Sequence, residues 1–222
     1  MNTATLEFSM SRHALAAGLV LAVCLSLSAP AHAGGMTESA LVDHVVESTG
    51  GPARAALEAA MRAYDRAQQA GAIANPGLLT LIDYTRPSLD RRLWVIDLRS
   101  GEVLFNELVA HGRGSGDNLA TAFSNEDNSH MSSVGLFVTR DVYVGHNGYS
   151  LRLDGLDRGL NDHALSRAIV IHGAAYVSEV IGKQIGRLGR SWGCPAVRPE
   201  IARTLIDTIK GGTAVFAYGH GA

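Results

Sequence analysis

Two cysteines stand in 222 residues, and the first, Cys24, falls inside an apolar run near the N-terminus. If that run is removed, Cys194 is left alone, with no partner for an internal disulfide in an exported chain. Aromatic residues make up 6% of the chain and charged residues 18%, with a net charge of -2 and no basic block. An electrostatic footprint for nucleic acid is therefore absent, and no nucleic-acid partner is expected. After Leu27 there is no long apolar segment. The chain is thus not expected to be a stable transmembrane protein.

What is present begins with a leader. Arg12 and His13 precede the apolar run Ala14 to Leu27, which is followed by Ser28-Ala29-Pro30 and the small-residue signature Ala31-His32-Ala33. This order reads as a secretory signal covering residues 1–33, cleaved after Ala33. The run is shorter than the roughly 20 residues a bilayer-spanning helix needs, so export is expected rather than anchoring. Cys24 suggests a lipoprotein at first sight, but Val23 is bulky for such processing and apolar sequence continues past it.

Residues 34–77 read as a helical segment. Ala40, Leu41, His44 and Val45 share one face before Gly50-Gly51; Leu57, Met61 and Tyr64 recur at helical spacing until Gly71. From residue 78 to 222 the period shortens. Leu78–Tyr84, Leu93–Leu98, Val103–Ala110, Val134–Thr139, Ser150–Leu156, Ala168–His172 and Thr213–Tyr218 read as strands. Pro199 opens a late helix over Glu200–Lys210 with Ile201, Leu205 and Ile209 on one stripe. The class is mainly β: a β-sandwich or partly closed barrel with N-terminal helices and one late helix. Residues 111–130 are polar and predict a long loop.

The chemistry gathers at His172-Gly173 and Ser191-Trp192-Gly193-Cys194-Pro195. A free thiol has a pKa of about 8.5 and needs a base or a charge to react at neutral pH. His172 ends an apolar strand, where a base can be held in register. Gly173 and Gly193 let backbone come close to a substrate, and the amides of Gly193 and Cys194 are candidates for an oxyanion hole. His111, His130, His146 and His163 raise zinc as a runner-up, but no His-x-x-x-His or His-x-His spacing appears. No cofactor or metal is expected. Gly112-Arg113-Gly114-Ser115-Gly116 lacks the Lys-Ser or Lys-Thr of a phosphate loop.

These pieces resemble the YkuD-like L,D-transpeptidases of the bacterial cell wall, in which a strand His-Gly precedes a Ser/Thr-His-Gly-Cys motif and a nearby Arg or Asn. Here the corresponding residues are His172-Gly173, Ser191-Trp192-Gly193-Cys194 and Arg198. His before Cys argues against papain-like peptidases, and the sortase Thr-Leu-x-Thr-Cys strand is missing. Ser132-Ser133-Val134-Gly135-Leu136-Phe137 echoes the family's Thr-Pro-x-Gly-x-Phe segment. The resemblance is nearest to a divergent proteobacterial branch with a Ser-Trp-Gly-Cys-Pro motif. Trp192 stands where the motif has histidine, Pro195-Ala196-Val197 moves Arg198 away from the thiol, and Gly182 to Arg190 lengthens the spacer.

The resemblance implies a peptidoglycan L,D-transpeptidase in which Cys194 forms a thioester acyl-enzyme with a stem peptide and His172 moves the proton. Resolution by an amine gives a cross-link; resolution by water gives an L,D-carboxypeptidase or endopeptidase. In the family a backbone carbonyl orients the histidine. Ser191, Trp192, Arg198, His111, Tyr149 and Arg152 are the expected substrate contacts. A zinc-dependent peptidase and a non-catalytic wall-binding protein are the competing classes.

Overall fold

The computed structural model describes Met1 and residues 36–221. The expected signal segment therefore lies outside the described residues.

Helix α1 (Glu38–Glu47) starts where the Thr37 hydroxyl accepts from the Ala40 N–H at 3.3 Å, and buries Leu41, Val42 and Val45. Helix α2 (Arg54–Gln69) buries Ala56, Leu57, Ala60, Met61, Ala63, Tyr64 and Ala67. Its small residues allow a close approach to the sheet. The turn between the helices is pinned from below, because the Trp94 indole donates to Gly50 O at 2.8 Å.

Eight strands form one sheet in the order β3-β2-β1-β8-β4-β5-β6-β7. They are β1 (Leu78–Asp83), β2 (Leu93–Asp97), β3 (Val103–Glu107), β4 (Gly135–Gly145), β5 (Gly148–Gly155), β6 (Val170–Gly173), β7 (Ala196–Val197) and β8 (Ala214–Tyr218). Pairing is antiparallel except for β1 with β8 and β6 with β7. One face, with Leu79, Leu81, Trp94, Ile96, Leu136 and Phe216, packs on α1 and α2. The other face, with Ile82, Val95, Phe137, Leu151, Leu153 and Ile171, covers helix α4 (Pro199–Ile209), whose Ala202, Leu205, Ile206 and Ile209 are buried. Each fully buried aliphatic side chain there contributes roughly 1.5–3 kcal/mol.

The outer strands of the sheet meet. Ala110, just past β3, donates its N–H to Ala196 O in β7 at 2.8 Å. Below this bridge the Arg198 guanidinium grips the Glu107 carboxylate with Nε at 3.0 Å and Nη2 at 2.8 Å. The mainly β, partly closed barrel is thus present, with helices at the N-terminus and α4 late in the chain. Two elements were not anticipated: α3 (Glu179–Ile185) and the two-residue β7. Strands β4 and β5 also run further than expected, meeting in a hairpin at Gly145-His146-Asn147-Gly148 with a register shift between Thr139 and Val142. Residues 111–130 form the expected irregular stretch, with only the short 3-10 turn Arg113–Ser115.

Candidate active site

Strand β6 carries His172 between Ser150 of β5 and Ala196 of β7, so sheet pairing on both sides fixes its backbone. The imidazole is 4% exposed, and Nδ1 lies 3.0 Å from Gly173 O. A carbonyl can only accept, so Nδ1 carries the proton and Nε2 is the basic nitrogen. Burial holds the His172 pKa below its ordinary value, with the Gly173 carbonyl opposing. The ring is therefore neutral at neutral pH. Gly173 itself has no room for a side chain: a Cβ would lie 2.9 Å from Ala202 Cβ and 3.1 Å from Pro199 Cα, at the start of α4.

The loop Ser191 to Cys194 is a tight hydrogen-bonded unit. Ser191 Oγ donates to Cys194 O at 2.6 Å and accepts from the Gly193 N–H at 3.1 Å. Ser132 Oγ donates to Gly193 O at 3.1 Å and accepts from the Gly112 N–H at 3.0 Å. Gly193 has φ 121°, and a Cβ there would lie 2.8 Å from Met131 O, so glycine is required. On the other side, Ser191 N–H donates to His111 O at 3.0 Å and Arg113 N–H to Ser191 O at 2.8 Å.

Cys194 and His172 line one cleft of about 290 Å³ with Ser191, Trp192, Tyr176 and Arg190; His146 and Asn147 of the hairpin tip complete its wall. In this state the thiol donates to Ala168 O at 3.7 Å. Burial pushes the thiol pKa up, while the Val170 N–H and the Arg167 guanidinium pull it down. Thiol and neutral imidazole are thus the resting pair, which suits a general base acting on an un-ionised nucleophile. Arg167 had no signal in the sequence. Its Nη1 reaches Ser124 O at 2.7 Å and Ser133 Oγ at 2.6 Å, and its Nη2 reaches Met131 O at 2.8 Å and Ser129 Oγ at 3.2 Å. It ties the 124–133 segment to the strand that carries His172.

Several expected contacts lie elsewhere. His111 is fully buried, with Nδ1 2.8 Å from Arg92 Nη2, so it has no surface for a substrate. Burial and the Arg92 charge lower its pKa to about 4. The Gly193 N–H donates to Ser191 Oγ, so it is engaged inside the loop rather than free for an oxyanion, and Ser191 braces the loop. Arg198 is engaged with Glu107. Tyr149 donates to Asp207 Oδ1 at 2.7 Å on α4, with Arg203 4.2 Å from its ring centroid. Arg152 pairs with Val170 on β6 and lies 4.3 Å from the Tyr143 ring centroid. Tyr176, whose pKa is pushed up to about 12 by burial and by Cys194, joined the cleft unannounced. So did His146 and Asn147, although the glycines on either side of them were a usable turn signal. Among the described residues, no group of three His, Cys, Asp or Glu side chains is placed to hold a metal ion.

The sequence matches the L,D-transpeptidase catalytic domain over residues 50–218. The chain belongs to that family. No curated protein matches it. Among solved structures it is similar to the L,D-transpeptidase of Stackebrandtia nassauensis, with 15% identity and a TM-score of 0.39 over 81% of this chain and 64% of that one. An L,D-transpeptidase from Mycobacterium smegmatis gives 15% identity and a TM-score of 0.39 over 64% and 59%. A cysteine-to-serine mutant of the Enterococcus faecium L,D-transpeptidase gives 15% and 0.38 over 66% and 50%. The chain spans less than two thirds of the length of these three proteins. Within the L,D-transpeptidase domain matched here lie both His172 and Cys194, along with every residue of the cleft they share.

Proposed function

We propose that the protein is a periplasmic peptidoglycan L,D-transpeptidase that works through a thioester on Cys194. The observation that carries this reading is the shared cleft of Cys194 and His172 within an L,D-transpeptidase catalytic domain. His172 Nε2 takes the thiol proton as Cys194 Sγ attacks the carbonyl carbon of an L-residue joined to a D-residue. The C–N bond breaks, and the leaving amine takes the proton from His172. Next, an amine of a second stem peptide attacks the thioester and gives its proton to His172; the C–S bond breaks and the thiol is restored. The Cys194 N–H, which makes no hydrogen bond among the described residues, supports the developing oxyanion. The leader at residues 1–33 supports export.

Purified protein incubated with disaccharide-tetrapeptide muropeptides tests this. Cross-linked dimers and an acyl adduct on the intact protein are expected, and Cys194→Ala abolishes both. Undiminished turnover by Cys194→Ala overturns the reading; shortened monomers without dimers assign the same thioester to hydrolysis.

A further inference from the structure

A second cleft, of about 360 Å³, adjoins Trp192 and is lined by Asp127, Asn128, His130, Ser166, Arg167 and Trp192. Trp192 is the one residue it shares with the Cys194 cleft. The indole is 69% exposed, yet it is not loose. His130 stacks on it with 5.0 Å between centroids and 26° between planes, and the Arg113 guanidinium lies 5.4 Å from its ring centroid. Arg113 in turn donates from Nε at 3.1 Å and Nη2 at 2.8 Å to His130 Nδ1, which fixes the imidazole. The result is a braced aromatic pair whose indole stays 69% exposed.

The rim beside the pair is polar and unspent. Asp127 and Asn128 are exposed, and among the described residues their side chains make no hydrogen bond or ion pair. Asn128 and His130 hold φ 58° and 53°, a left-handed conformation that costs non-glycine residues of order 1–2 kcal/mol. Hydrogen bonds from Arg167 to Ser129 and Met131 support that backbone. The loop thus keeps an unfavourable conformation that presents a carboxylate and an amide next to an open indole.

We propose that this cleft binds a pyranose ring of the glycan strand. A pyranose offers an apolar face of C–H groups to stack on Trp192, and hydroxyl groups around its edge that donate to the Asp127 carboxylate and accept from the Asn128 amide. A 2-acetamido sugar adds an amide that both donates and accepts. The shared Trp192 wall places a sugar held here beside the cleft that takes the stem peptide, so the glycan anchors the substrate while Cys194 acts on its peptide branch. This assignment rests on the peptidoglycan reading above.

Chitotetraose, a β-1,4-linked N-acetylglucosamine tetramer without any stem peptide, is the probe. Isothermal titration calorimetry and saturation-transfer NMR with the full chain are expected to show binding by wild type and by Cys194→Ala. Trp192→Ala raises Kd by about tenfold, and Asp127→Ala, which keeps the aromatic pair, weakens binding as well. No binding by wild type, unchanged affinity in Trp192→Ala, or displacement of the sugar by free lysine at equal concentration overturns the proposal, the last by assigning the cleft to an ammonium group. Because the measurement needs no turnover, its failure with Cys194-dependent muropeptide turnover intact removes the sugar site alone. Turnover that persists in Cys194→Ala removes the thioester reading instead.

Discussion

The Cys194 thiol donates to the Ala168 carbonyl at 3.7 Å, and no hydrogen bond joins it to His172 although both side chains line one cleft. Ala168 holds φ 54° two residues before β6. Burial raises the thiol pKa and lowers that of His172, so the two groups rest uncharged. The proposed reaction then requires the S–H to turn from Ala168 to the imidazole Nε2.

That arrangement fixes the pH dependence. In the proposed reaction the active form has neutral His172, so wild-type turnover is expected to fall as pH drops through the His172 pKa, below the ordinary histidine value of 6.5. His172→Ala loses the base and depends on thiolate, whose pKa lies above the ordinary cysteine value of 9.0. Its turnover is expected to fall roughly a hundredfold or more near neutrality and to climb with pH through that higher range. Turnover against pH for both proteins checks this. An unchanged acidic limb in His172→Ala removes His172 from the reaction.

Arg167 makes a separate prediction. Its Nη2 would lie 3.4 Å from a Cβ at Gly193, and it is the cation that pulls the Cys194 pKa down. Replacing it with methionine is expected to raise the pH midpoint of Cys194 alkylation by iodoacetamide, while Arg167→Lys keeps the midpoint closer to wild type because the charge remains. Both variants lose thermal stability through the broken bonds to residues 124–133. If both midpoints match wild type, Arg167 acts only as a strut.

Arg198 was legible as a residue near the thiol but not as a clasp. Its partner Glu107 is 91 positions away in the chain and 7% exposed, and only the closing of the sheet brings them together. Arg198→Ala leaves that carboxylate short of its main partner, with Arg91 at 3.6 Å the remaining cation. A loss of about 2 kcal/mol is expected in urea unfolding, discounted for the partial exposure of the guanidinium. A double-mutant cycle with Glu107→Gln isolates the pair. A variant of wild-type stability with a raised KM would instead return Arg198 to the substrate wall.

The same contrast explains what the residues did and did not disclose. Alternating strands, the Gly50-Gly51 break and Pro199 are local signals, and the elements they mark appear nearly where expected. A strand end and a glycine loop single out His172 and Cys194 in the sequence, and the fold brings both to one cleft. Helix α3 was not, since Val180, Ile181 and Ile185 face outward and only Gly182 is buried, which leaves no apolar stripe. The two residues of β7 are too few to form a pattern. His111 looks available for a substrate in the sequence, but the fold buries it against Arg92, and Ser191 and the Gly193 N–H are engaged with each other inside their own loop.

His111 supplies the last prediction. Its imidazole accepts from buried Arg92, whose other donors go to Val109 O and Arg86 O. Tyr84 packs edge-on against the ring at 6.4 Å and also lies under Arg92, and among the described residues no carboxylate forms an ion pair with the imidazole. Burial penalises the protonated ring most, and the Arg92 charge adds to it, so the folded pKa falls to about 4. In the unfolded chain His111 titrates near 6.5, so between these values the unfolded state binds the extra proton. The contribution is complete above pH 6.5 and is lost progressively as pH falls to about 4, by of order 3 kcal/mol at full extent. His111→Gln keeps an acceptor for Arg92 without a titrating ring. Urea unfolding at pH 7.5 and again near pH 4.5 should therefore show a smaller acid-side loss in the variant than in wild type, even if the variant starts lower. Equal losses in the two proteins would mean that other groups, not the His111 and Arg92 pair, set the acid stability of the fold.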